Sequence, residues 1–294
     1  MNLRSFLSEE LWLFLLLAVL LGLAVPGAGR HITPYSIYFL LVVMFLTSLG
    51  IELADIRGAL THVRHLLIAL LLVFVLSPLV AFLLSFTLEK KLAVGLILYS
   101  AIPSAMANAF YIRRLRKNAA LALLITVLTT LMAPFITPLV VKLLTGVFLD
   151  MNPFDLFLSL IKLILLPFGL AGLIRHYAKG AAQILLSNSA PITTVCMFFV
   201  ILGVISSASD KVWEMGWLAL ITLIYIVITF FMGFLAAGEE RMVMAFGNGF
   251  RNGTLAMVVA LEVFGPSAAL VGVITTIMHN MALVPVMFWS RGKS

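Results

Sequence analysis

Gly247-Asn248-Gly249-Phe250-Arg251-Asn252-Gly253-Thr254 sets three glycines and four polar side chains between two apolar pieces, Met242 to Phe246 and Leu255 to Leu261. Neither piece is long enough to cross a bilayer alone, so the whole reads as one interrupted span, with Gly247, Gly249 and Gly253 at the break. A helix broken at membrane depth frees backbone N–H and C=O groups that hydrocarbon cannot satisfy, and such a break survives only inside protein or beside a polar cavity. Arg251 adds to the signal. A guanidinium near the bilayer centre costs at least ~2.5–3.5 kcal/mol on insertion scales and is by default a functional-site hypothesis. The competing reading is that Gly249 and Gly253 form a G-x-x-x-G for close helix packing, with Arg251 reaching the headgroups from a straight helix.

Composition sets the class. Of 294 residues 63% are hydrophobic and only 11% charged, far from the ~45–50% and ~25% of soluble domains. The expectation is an all-α polytopic membrane protein. A formal net charge of +7 then signals topology and anionic headgroups, with no nucleic acid partner. The single cysteine, Cys196, excludes a disulfide framework and a thiol metal cluster. Glu9 and Glu10 spoil the outline of a cleaved signal peptide.

Apolar runs able to span, or to span with a break, lie near 8–26, 35–53, 66–87, 92–116, 118–145, 155–175, 190–208, 216–237, 240–262 and 266–290, which makes ten. With the N-terminus on the cytoplasmic side, that side collects twelve of the nineteen Lys and Arg residues and the other side six, Arg251 standing apart. The lysine and arginine bias therefore places both termini in the cytoplasm, as ten spans require.

An internal repeat organises the spans. Val127-Leu128-Thr129-Thr130-Leu131-Met132 returns as Val273-Ile274-Thr275-Thr276-Ile277-Met278, and Gly22-Leu23-Ala24 as Gly169-Leu170-Ala171, offsets of 146 and 147. Two halves, 1–146 and 147–294, of five spans each must enter the membrane from opposite sides, an inverted repeat. Shifting the central stretch back by 146 lands on Ile102-Pro103-Ser104-Ala105-Met106-Ala107-Asn108-Ala109, a second apolar run interrupted by a proline and small or polar residues. A simple proline kink is the alternative for Pro103 alone. Paired discontinuous helices are the best sequence pointer to a transporter binding site near the midplane.

In these stretches the chain resembles the bile acid:sodium symporter superfamily. Leu49-Gly50-Ile51 to Asp55-Ile56-Arg57 is similar to the end of that family's second span, Pro103 to Asn108 to its fourth, Leu131-Met132-Ala133-Pro134 to Pro138 to its fifth. Asn252-Gly253-Thr254-Leu255-Ala256 through Phe264-Gly265-Pro266 to His279-Asn280 is similar to its ninth and tenth. The resemblance implies crossing fourth and ninth helices, a panel domain from spans 1, 2, 6 and 7, a core domain from spans 3–5 and 8–10, and alternating access by core movement.

The departures concern sodium. Members that couple to Na⁺ usually carry an acid five residues before the Asn matched by Asn252, where this chain has Gly247, and commonly Gln where it has Arg251. The usual Ser-Asn pair of the fourth helix falls on Asn108-Ala109, and of two hydroxyls in the fifth only Thr126 remains, Ala122 holding the other place. A hard cation wants several oxygen ligands. This site exchanges an acid for a fixed positive charge, which makes Na⁺ coupling doubtful. Arg251 could replace the cation's charge or offer a fork to a carboxylate, with half-helix N-termini beside Asn108 and Asn252 favouring the same anion.

The expected site therefore comprises Arg251, Asn252, Asn248, Asn108, Thr126, Ser104 and Thr254, with Thr130, Thr276, His279 and Asn280 behind them. Membrane threonines more often bond an i−4 carbonyl than a ligand, and His279 and Asn280 more often pack with internal hydrogen bonds. No resident metal or cofactor is expected, Na⁺ remaining open, and no H-E-x-x-H, G-x-S-x-G or P-loop suggests an enzyme. The expected activity is secondary transport of a small organic anion across an inner (cytoplasmic) membrane. A sodium-coupled symporter with non-standard ion sites and a non-transporting receptor or scaffold stay open, as does the choice between monomer and homodimer.

Overall fold

The computed structural model describes residues 11–50, 62–148 and 151–291, and every regular element among them is a helix. In chain order these are α1 (Leu11–Ala24), α2 (Pro26–Leu49, with a 3₁₀ turn at Thr33–Tyr35) and α3 (Val63–Ser85). The broken fourth run gives α4 (Lys90–Ala101) and α5 (Asn108–Arg114), followed by α6 (Ala119–Thr145). The second half holds α7 (Pro153–Tyr177), α8 (Lys179–Ser187), α9 (Ser189–Ser207) and α10 (Met215–Ala236). The second broken run gives α11 (Arg241–Gly249) and α12 (Gly253–Val263), and α13 (Pro266–Arg291) closes the fold. Asp55 to Arg57, part of the second-span resemblance, lie outside the described residues.

Six described helices, α2, α3, α6, α7, α9 and α10, are long and apolar enough to cross a membrane. The side chains are sorted as a bilayer requires. On α6, Phe135, Leu139 and Leu143 are exposed along one i, i+4, i+8 face while Thr126, Thr129, Thr130 and Thr137 are buried. Polar groups turned inward and leucines outward are the reverse of a water-soluble helix and fit lipid on the outer face. The chain is a multi-pass membrane protein.

Packing gathers the helices into two groups. α1, α2 and α9 lie against one another, and α7 packs against both α2 and α6. α3, α4, α6, α10, α11, α12 and α13 form the other, in which α10 holds α11, α13 holds α12, and α3 and α13 hold α4. α3 and α7 each contain one π turn, at Leu72–Leu76 and Ile161–Leu165. The first ends where Ser77 N–H reaches back to Leu72 O, which aims the Ser77 side chain at the second helix break.

Candidate functional site at the crossing of two broken helices

Each break leaves orphaned backbone groups, and each supplies the other's partners. Ala105 N donates to Phe250 O at 2.9 Å and Asn252 N to Pro103 O at 2.9 Å, a two-rung antiparallel bridge between Ser104 and Arg251. Asn108 Nδ2 donates to Phe246 O (3.0 Å) and Phe250 O (3.2 Å), and Ser104 Oγ donates to Gly247 O. The open carbonyls at the end of α11 are thus closed by side chains of the first break. The end of α4 is closed from α6, where Thr137 Oγ1 donates to Ala101 O at 2.7 Å. Asn252 caps α12, its Oδ1 accepting from Leu255 N at 3.1 Å.

The second break is shorter than the sequence suggested. α11 runs through Gly247 and Gly249, and the backbone leaves the helix only at Phe250 to Asn252. Both glycines are packing positions. A Cβ at Gly249 would meet Phe230 at 3.0 Å, one at Gly247 would meet Ile125 at 3.3 Å, and one at Gly253 would lie 2.4 Å from Thr276 Oγ1. The packing reading of G-x-x-x-G and the broken-helix reading therefore hold together. Pro103 does lie in the first break, which covers residues 102 to 107.

Arg251 has no exposed surface. Its Nη2 donates to Asn248 Oδ1 at 2.9 Å, and that oxygen also accepts from Ser77 Oγ at 2.8 Å. Asn248 Nδ2 donates to Thr229 O at 2.7 Å, so the amide is fully used in holding α3, α10 and α11 around the guanidinium. The phenols of Tyr99 and Tyr225 lie beside the same group. Nε and Nη1 of Arg251 and the Tyr225 hydroxyl have no hydrogen-bond partner among the described residues, nor does an acid there form an ion pair with Arg251. Ser77, Tyr99 and Tyr225 were missed in the sequence, although each is a polar group in an otherwise apolar span.

The other expected residues divide between structure and cavity. Thr126 Oγ1 donates to Ala122 O at 3.0 Å and Thr276 Oγ1 to Gly272 O at 2.7 Å, the local bonds that membrane threonines favour. Thr130 Oγ1 is buried without a partner among the described residues. The Tyr99 hydroxyl and His279 Nε2 are 3.1 Å apart, and Asn280 Nδ2 donates to Thr276 O at 2.8 Å. A cavity of about 240 Å³ opens between the two helix groups. Asn108, Asn252, Thr254, Thr276 and Asn280 face it from one side, and Val43, Met44, Thr47, Thr193 and Met197 from the other. Asn252 Nδ2 reaches only Met44 Sδ there, at 3.7 Å, and so keeps donor capacity for a ligand.

Residues 9–289 match the SBF-like CPA transporter family. The chain belongs to that family. Its relatives include an uncharacterized sodium-dependent transporter, YocS, of Bacillus subtilis, 26% identical over 99% of this chain and 94% of its own length. A probable sodium/metabolite cotransporter of rice, BASS1 of the chloroplast, is 28% identical over 87% of this chain and 66% of its own. The Arabidopsis thaliana protein of that name is 25% identical over 94% and 72%. The SBF-like CPA family lies within the bile acid:sodium symporter superfamily, and its members are transporters rather than enzymes. Membership implies membrane embedding and a transported small solute.

Proposed function

We propose that this chain is a secondary transporter that carries a small organic anion by alternating access, with the Arg251 guanidinium standing where relatives would bind a coupling cation. The observation that carries this reading is the sealed position of Arg251 at the meeting of the two breaks, bonded to Asn248 on one half-helix end. A cation there holds the crossed segments together without leaving or entering. The place where relatives have an acid is Gly247, backed by Ile125, so the site lacks the carboxylate that a hard cation prefers. Arg251 borders the cavity without exposing surface to it and is bonded through Nη2 to Asn248, which favours replacing the cation's charge over presenting a fork to the substrate.

The transported anion belongs in the cavity, at Asn252 Nδ2, Thr254 and the N-terminal end of α12, where the helix dipole favours negative charge. Apolar lining such as Val43, Met44 and Phe250 suits a carboxylate with a hydrocarbon body.

In this reading the ten runs form two inverted halves, α1, α2, α7 and α9 the panel, the remaining long helices the core. The cavity is lined by the late part of α2, the early part of α9, α5 and the later part of α13, all on the side that the lysine and arginine count makes cytoplasmic. The conformation is then inward-facing. On the opposite side Ser159 Oγ of α7 donates to Glu262 of α12 at 2.5 Å, with Lys162 Nζ 3.6 Å from the same carboxylate, a contact of panel with core that holds the outer path shut.

Counterflow in proteoliposomes tests the transport reading. A labelled monocarboxylate should accumulate against its unlabelled form preloaded inside, and ligand binding with no counterflow for any of a panel of carboxylates would make the protein a receptor. The name of the Bacillus relative, a sodium-dependent transporter, favours a second reading, a sodium-coupled symporter with non-standard ion sites, which predicts that the same counterflow requires Na⁺.

A further inference from the structure

We propose that the buried Arg251 binds a small monovalent inorganic anion of halide size, held by guanidinium Nε and Nη1 and by the Tyr225 hydroxyl. This rests on Arg251 being a fixed buried charge, as in the proposed function, and is separate from whether sodium is needed. The starting point is charge. A guanidinium stays protonated in proteins, this one has no exposed surface, and no acid among the described residues pairs with it. An uncompensated charge buried in protein at membrane depth is strongly unfavourable.

The donor inventory says what is missing. Of the five guanidinium N–H groups, the Nη2 bond to Asn248 is made, while the three on Nε and Nη1 find nothing. The Tyr225 hydroxyl is a fourth buried donor without a partner. Apart from the neutral Tyr225 oxygen beside the guanidinium, the acceptors nearby are already spent. Asn248 Oδ1 takes both Ser77 and Arg251, the Tyr99 hydroxyl is paired with His279, and the carbonyls of Phe246, Gly247 and Phe250 are taken by Asn108 and Ser104. A site made of donors and one positive charge calls for an acceptor that carries a single negative charge and needs no acceptors itself.

Three other occupants fit less well. Water would use the donors but leave the charge. A metal cation would meet only hydrogen-bond donors and a like charge. The substrate carboxylate belongs in the cavity with Asn252 and Thr254, which Arg251 borders without exposing surface to it. A spherical monoanion accepts from several donors at once without a directional demand, which matches a planar guanidinium edge beside a phenol.

Equilibrium binding of ³⁶Cl⁻ to the purified full-length protein in gluconate buffer tests this. The expected result is one saturable chloride per chain, displaced by bromide, with an unfolding midpoint higher in chloride than in gluconate. Tyr225→Phe should weaken binding about tenfold or more, the loss of one hydrogen bond to a charged partner. Arg251→Gln should abolish it. If Arg251→Gln does not fold, Tyr225→Phe decides. Absent saturable binding in the wild type, or affinity unchanged by Tyr225→Phe, would overturn the proposal. Sodium-independent uptake without chloride binding would defeat this inference alone, whereas chloride binding with strictly sodium-dependent uptake would defeat only the reading of Arg251 as the cation's replacement.

Discussion

The two helix breaks do the same job by different means. The first, between α4 and α5, contains Pro103, which lacks an N–H and disfavours a helical residue before it, so its own sequence opens the helix. The second, between α11 and α12, has no proline; glycines flank it, and Phe250 to Asn252 leave the helix because bonds from elsewhere hold them. Asn108 and Ser104 take the carbonyls of α11, and Arg251 is pinned through Asn248 by Ser77 and Thr229. The first break is favoured by its own backbone and is also bonded across the crossing. A break held by partners depends on them, and in this molecule the held break carries the charge.

The comparison can be broken most severely at Arg251. Arg251→Gln should reduce uptake in proteoliposomes by about a hundredfold or more, the equivalent of ~2.7 kcal/mol. Arg251→Lys should restore little, since an ammonium on a flexible stem does not reproduce a planar fork. Asn108→Ala comes next. It removes two buried hydrogen bonds to the carbonyls of Phe246 and Phe250, each of which keeps a backbone donor, at ~0.5–1.5 kcal/mol each, and should lower the thermal unfolding midpoint. Pro103→Ala sharpens the contrast: the bridge to Phe250 and Asn252 should keep the first break open, with uptake reduced no more than about threefold, ~0.65 kcal/mol. Complete loss of uptake in that variant would mean that the proline, and not the bridge, sustains the crossing.

The smallest effect lies away from the membrane interior. At the loop joining α3 to α4, Glu89 is held below the usual carboxylate range, chiefly by the hydrogen bond from Lys211. Lys211 is pushed above its usual range, first by Glu214 and then by Glu89, through contacts of 2.8 Å to each. A depressed carboxylate contributes stability above its unfolded pKa and loses it as pH falls through the folded one. A raised amine contributes below its unfolded pKa and loses it as pH rises through the folded one. Lys211→Ala should therefore lower the unfolding midpoint slightly at neutral pH, and the difference should fade in acid once Glu89 is protonated. An equal difference at pH 3 would exclude the ion pairs as its cause.

Much of this was legible in the sequence because hydrocarbon imposes lengths. The run at 118–145 became Ala119–Thr145 and that at 190–208 became Ser189–Ser207. α8 was hidden in a presumed connection, since Lys179, Gly180 and Gln183 among a few apolar residues look like a loop. The π turns leave no trace in a uniformly apolar run, as one extra residue per turn changes nothing that composition records. Gly247 and Gly249 misled for a related reason: glycine weakens a helix by ~1 kcal/mol, yet close packing against Ile125 and Phe230 requires it. Arg251, Asn252, Asn108 and Ser104 stood out as polar groups where apolar ones belong. Ser77 and Tyr225 met the same criterion, but only the fold shows that α3 and α10 flank the crossing.

The central claim, that Arg251 stands in for a bound coupling cation, is tested most directly by the sodium dependence of initial uptake in proteoliposomes with choline as the replacement cation. Wild-type uptake should be the same with and without Na⁺. Uptake that falls to background when Na⁺ is removed and returns when it is restored would contradict the account.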